Sequence, residues 1–193
     1  MKKKLTTVLA IVLVVALSVA GTYAYLTDKT ATIKNTFTVG NVNIDLTETW
    51  NTDADGNGTK DCWKMQLIPG TSAVKDPTVT VKADSEKCYL FVKFEEKNSP
   101  ATYLSYTSTL TDAKGWTKLN TESNVWYRVV DKASTDTSFV LLQADGNGNM
   151  VTVKDTVTND NMAEAAKAEL VYTAYACQFE GMSPAQAWAE VNK

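Results

Sequence analysis

From residue 25 onward, apolar and polar residues alternate over short stretches set apart by turn formers, the period-2 pattern of strands with one buried face. In "ATIKNTFTVGNVNIDL" (31–46), Ile33, Phe37 and Val39 occupy odd positions, whereas Val42, Ile44 and Leu46, after Gly40, occupy even ones. A one-residue phase change at a glycine predicts two strands separated by a bulge or corner. Further runs of this kind are "WKMQLI" (63–68), "PTVTVKA" (77–83), "CYLFVKF" (88–94), "YLSYTSTL" (103–110), "VWYRVV" (125–130), "FVLLQ" (139–143), "MVTVKD" (150–155) and "ELVYTAYACQF" (169–179). The separators, such as "NTDADGNGTKD", "IPG", "EKNSPA" and "DAKG", are rich in Gly, Pro, Asn and Asp. "FVLLQ-ADGNGN-MVTVKD" predicts a hairpin, because Asp145-Gly146 and Asn147-Gly148 tolerate positive φ. Many short strands at this spacing predict an all-β fold, specifically a jelly-roll-like two-sheet β-sandwich over 40–193.

Two stretches break the alternation. "NDNMAEAAKAEL" (159–170) combines alanine-rich helix formers with Asn159, Asp160 and Asn161 as candidate caps. In "SPAQAWAEVNK" (183–193), Ser183 is a candidate N-cap and Pro184 stands at the first helical position. The second helix is expected to pack Trp188 onto the end of the sandwich.

Upstream, Lys2, Lys3 and Lys4 precede an apolar run from Leu5 to Ala20. A basic n-region before an apolar core shorter than the roughly 20 residues of a membrane span predicts a signal-peptide helix over 1–24. Thr22 and Ala24 supply the small residues for cleavage between Ala24 and Tyr25; the competing expectation is an uncleaved anchor helix. Cleavage would remove three of the 19 basic residues and none of the 22 acidic ones, leaving 16 against 22, or −6. A mildly acidic chain without a basic patch argues against nucleic acid as a partner.

Candidate chemistry is sparse. The chain contains no histidine, which removes Ser-His-Asp, Cys-His and HExxH mechanisms, so no enzymatic activity and no catalytic residue is expected. Cys62, Cys88 and Cys177 are widely spaced and select no disulfide pair. In "DADGNGTKD" (53–61), Asp53, Asp55, Asn57, Thr59 and Asp61 fall at positions 1, 3, 5, 7 and 9 of an EF-hand-like register, with Gly58 at position 6. Lys64 stands at position 12, where a bidentate glutamate normally completes the shell, so the stretch reads as a polar turn or a weak Ca²⁺ site. No other cofactor is expected. The tryptophans at 50, 63, 116, 126 and 188 could line a carbohydrate-binding face if exposed, although Trp63 and Trp126 in alternating strands favour burial.

The junction "GTYAYLTD" followed by "ATIKNTFTVGNVNIDL" resembles exported proteins of the TasA and camelysin (CalY) family, whose signal peptides are processed by the SipW-type signal peptidase. "LIPGTSAVKDPTVTV" (67–81) and the C-terminal "AYACQFEGMSPAQAWAEV" are similar to family segments, while 95–165 carries no alignable likeness. The resemblance implies a jelly-roll-like sandwich, secretion to the extracellular matrix or cell surface of a Gram-positive bacterium, and homopolymerisation into biofilm matrix fibres with accessory matrix proteins. It further implies that residues 25–39 act as a donor strand in the next subunit, with Ile33, Phe37 and Val39 filling pockets. The competing expectation is an ordinary first strand in its own sheet. Two other functions stay open: a camelysin-like secreted metallopeptidase, which the absence of histidine opposes, and a surface adhesin binding sugar or host protein.

Overall fold

The run "CYLFVKF" (88–94) has no polar side to give to water, and the domain is built around it. Cys88, Leu90, Val92 and Phe94 fall on one side of the strand and Tyr89 and Phe91 on the other, and all six are buried. A strand covered on both faces reads as a continuous apolar run and requires a layer on each side. The structure, a computed structural model, describes residues 41–49, 64–110, 115–143, 148–179 and 181–193. The chain divides into two compact units, Met1–Val39 and Gly40–Lys193, and all described residues belong to the second. The expected signal peptide and the 25–39 segment lie outside the described residues.

Ten strands are described: β1 (Ile44–Thr47), β2 (Ser72–Val74), β3 (Thr78–Val81), β4 (Cys88–Lys97), β5 (Leu104–Ser105), β6 (Thr117–Lys118), β7 (Val125–Val130), β8 (Thr137–Val140), β9 (Met150–Val153) and β10 (Glu169–Gln178). The helices are α1 (Pro100–Tyr103), α2 (Met162–Ala165) and α3 (Pro184–Val191). The strands form three antiparallel sheets, ordered β1-β3-β8, β10-β4-β7-β6 and β2-β9-β5. The fold is therefore all-β with short helices.

The principal core is shared by the first two sheets. Val79 and Val81 of β3 cluster with Leu90, Val92 and Phe94 of β4 and with Trp126 and Val130 of β7. Ile44 and Leu46 of β1, Phe139 of β8, and Tyr172, Ala174 and Ala176 of β10 pack around this cluster and are partly buried. A second cluster covers the opposite face of β4: Tyr89 and Phe91 pack with Leu119, Val125, Ala187 and Trp188. Helix α3 supplies that cover and is well started. The Ser183 hydroxyl accepts from the Gln186 backbone N–H while the Gln186 side chain accepts from the Ser183 N–H, a reciprocal cap behind Pro184. A third cluster, around Leu104, Val151, Val153, Val157 and Ala165, holds the small sheet against α2.

Several expectations change. There are three sheets where two were expected. The 139–155 hairpin does not form: β8 pairs with β3, whereas β9 pairs with β2 and β5. Leu141 and Leu142, directly after β8, are themselves buried, so this stretch is part of the core before the chain passes to another sheet. The expected helix over 159–170 shrinks to the single turn of α2. The Asn161 side chain makes no cap bond; its Oδ1 accepts from the Thr158 N–H and its Nδ2 donates to the Thr156 carbonyl, so it stabilises the preceding turn instead. Residues 64–68 form no strand, and in 103–110 only Leu104–Ser105 does. Trp188 packs on the sheet face rather than at an end, 5.5 Å from the Phe91 ring and edge-on to Tyr175 at 5.1 Å.

Candidate functional site

The residues singled out for chemistry fall mostly outside the described part of the chain. This holds for Ala24 and Tyr25 at the expected cleavage site, for Ile33, Phe37 and Val39, and for Asp53, Asp55, Asn57, Thr59 and Asp61. Cys62, Trp50 and Trp63 lie there too. Trp116, Trp126 and Trp188 are each at most 4 % exposed, so these three offer no stacking face for a sugar.

Among the described residues no three His, Cys, Asp or Glu side chains group as a metal cluster. Cys88 and Cys177 are free thiols. Cys88 pairs with Gln178 and Tyr89 with Cys177, so the two thiols point to opposite faces of the sheet and cannot bond to each other. Burial, and then the neighbouring Cys177, push the Cys88 thiol up to about 11, which makes it a poor nucleophile at neutral pH.

A groove of about 410 Å³ is lined by Phe94, Glu95, Glu96, Ser108, Thr109, Ser123, Asn124 and Trp126. Its two carboxylates follow one another on β4 and so diverge to opposite faces, with Glu95 held 3.0 Å from Lys93 Nζ. The Tyr106 phenol nearby is raised above its ordinary value by burial first and by Glu96 second. The two carboxylates therefore do not form an acid–base pair at one point in the groove.

The more distinctive features are the sheet edges. Among the described residues, β1 and β8 each pair on one side only, so the three-stranded sheet is open at both ends of its order. β10 is likewise paired only to β4. The Phe179 N–H donates to the Lys87 carbonyl, and continuing this ladder turns the N–H and C=O groups of residues 173, 175 and 177 toward β4. Those of Leu170, Tyr172, Ala174 and Ala176 therefore point away from the sheet. Residues 170–177 are all half-buried, in contrast to the fully buried run in β4.

The chain entering β1 is firmly held. The Lys82 N–H donates to the Asn43 carbonyl and the Glu86 N–H to the Asn41 carbonyl, extending the β1–β3 pairing upstream. At the other end of β1, Lys75 Nζ lies 3.0 Å from Glu48 Oε2, with both side chains 8 % exposed. The same ammonium sits 5.4 Å from the centre of the Tyr172 ring on β10. The Thr49 side chain adds a bond to Asp76. On the far side of the core, Arg128 stacks 3.7 Å from the Phe139 ring centre and 5.5 Å from that of Trp116, and its burial lowers its pKa.

Sequence reasoning missed the Lys75–Glu48 pair and the Arg128 stack, because charged residues in an alternating run are read as solvent-facing. The edge position of β10 was also missed; its one local signal is the absence of any charge from Leu170 to Gln178. No family model, curated protein or solved structure matches this chain.

Proposed function

We propose that this protein is a secreted structural subunit of extracellular matrix fibres, polymerising when residues 25–39 of one copy complete a sheet in the next. The observation that carries the reading is a mismatch of layers: a three-stranded sheet, open on both sides among the described residues, shares its core with a four-stranded one. A jelly roll has eight strands in two sheets, so one further strand beside β1-β3-β8 would make the layers equal. Ile44 and Leu46 of β1 and Phe139 of β8 are only partly buried and would gain cover from it. The alternation of Ile33, Phe37 and Val39 suits that strand, and the junction resembling TasA and camelysin proteins supports export by a SipW-type peptidase. On this reading the domain is a jelly-roll-like sandwich carrying the small β2-β9-β5 sheet as an addition. The protein acts outside a Gram-positive cell and has itself as its main partner.

Electron microscopy of the processed protein tests the proposal. Fibres are expected from the intact chain; deletion of 25–39, or Phe37→Asp, is expected to leave a folded monomer that does not elongate. A buried charge without a partner costs several kcal/mol, about enough to abolish docking of so short a strand. Wild-type fibres from either variant would refute the role of that segment. Casein cleavage that is sensitive to chelators and co-purifies to homogeneity would favour the metallopeptidase instead.

A further inference from the structure

We infer that β10 is a self-recognition edge, at which two copies of this chain pair antiparallel, β10 to β10, to form one continuous eight-stranded sheet. The inference does not depend on the fibre proposal, since it uses the four-stranded sheet and leaves β1-β3-β8 to the incoming strand.

Exposed edges are normally blunted by short length, charge, proline or a bulge. The described edges at β1, β2, β5, β6 and β8 are two to four residues long, and Asp45 of β1 is paired with Lys82. β10 has none of these devices. It is ten residues long, pairs with β4 in unbroken register, and carries no charge or proline between Leu170 and Gln178. At roughly 3.4 Å per residue it presents an edge about 30 Å long.

The edge is also complementary to itself. Leu170, Tyr172, Ala174, Ala176 and Gln178 turn their backbone groups outward, so an antiparallel partner centred on Ala174 forms hydrogen-bonded pairs at 174 with 174, 172 with 176 and 170 with 178. This register sets Tyr172 against Ala176 on one face and Tyr175 against Thr173 on the other, a large side chain opposite a small one each time. Glu169 falls opposite Phe179 of the second copy, and Lys87 Nζ lies 4.4 Å from the centre of that ring. Glu169 and Lys87 are already paired within their own copy, to Lys97 at 3.6 Å and Asp131 at 2.9 Å, so the ends of the interface bring together balanced rather than like charges. An isologous contact needs such two-fold complementarity, and a strand drawn at random does not supply it.

The register makes a covalent test available. Val171 of one copy stands opposite Cys177 of the other in a non-hydrogen-bonded pair, where Cα atoms approach to about 4.5 Å, within disulfide range. Expressed as the full-length sequence and mildly oxidised, Val171→Cys is expected to yield a dimer on a non-reducing gel. Peptide mapping should join position 171 to Cys177, and the additional change Cys177→Ala should abolish the band. Ala174→Pro removes an outward N–H without breaking the β4 ladder and is expected to weaken dimerisation about tenfold or more in sedimentation, two hydrogen bonds being lost across the two-fold. Should that variant misfold, the cross-link still decides. Coupling of position 171 to Cys62 or only to itself, or no coupling, overturns the inference. So does amide-exchange protection of residues 170–176 that disappears when 25–39 is deleted, because the N-terminal segment would then be the occupant.

Discussion

β4 and β10 lie side by side, are equally long, and have similarly apolar sequences, yet their surroundings differ sharply. Of the first seven residues of β4, six are buried; in β10 none is, and eight in succession are half-buried. The difference comes from position in the sheet. β4 has neighbours on both sides and a layer over each face, β1-β3-β8 on one and α3 on the other. Among the described residues β10 has one neighbour, and the backbone groups on its other side meet no described strand. Composition alone therefore does not tell a core strand from an adhesive one, and the same apolar run stabilises the fold in one place and offers a contact in the other.

The comparison is broken most severely by truncating the centre. Phe91→Ala is expected to cost about 3–5 kcal/mol, because the ring is fully buried between Tyr89, Tyr127 and Trp188. Leu170→Ala on β10 should cost only about 1 kcal/mol, since its side chain is half-exposed. Urea denaturation of the two variants checks both, and equal losses would show that β10 is as much core as β4. Lys75→Met comes next. It leaves Glu48 buried without its cation and is expected to destabilise by about 3 kcal/mol, with the double change Lys75→Met, Glu48→Leu recovering most of the loss.

The two thiols sharpen the contrast at a smaller scale. Cys88 on β4 is fully buried and Cys177 on β10 is half-buried, so Cys177 should be alkylated first in the native protein and the order should vanish in denaturant. The Cys88 thiol rises from 9.0 to about 11 on folding, so the unfolded chain ionises first. Stability is therefore expected to fall as pH rises from about 9 towards 11, and Cys88→Ala should flatten that slope in urea titrations under reducing conditions. The smallest effect is at the helix that covers β4: Ser183→Ala removes the cap of α3 and should cost about 1 kcal/mol in thermal unfolding.

What could be read locally was read well. β4, β7 and β10 carry their own apolar runs, and α3 carries its Ser-Pro start, so these elements and nearly all their boundaries follow from neighbours in the chain. What depended on distant partners was not legible. Asp145-Gly146 and Asn147-Gly148 looked like a hairpin turn, but β8 and β9 each found better-matched partners, Phe139 beside Val79 and Val151 beside Ala73. The same holds for the candidate site. The alternation in 169–179 predicts a strand, but nothing within it states that β4 is its one partner among the described residues. Lys75 and Glu48 are 27 residues apart and meet only because β1 and the start of β3 lie together.

The extended pairing upstream of β1 has a mechanical consequence. Asn41 and Asn43 are bonded to Glu86 and Lys82, β1 is laddered to β3, and Glu48 is locked to Lys75 at the far end. Tension drawn along the strand from Asn41 is shared by all of these bonds at once, in shear. Tension drawn sideways meets them one after another, like a zipper. A chain pulled through its N-terminal side thus holds best when the force runs along the strand axis; pulled sideways, it gives way in order from Asn41, with the Lys75–Glu48 pair at the far end of β1 met last.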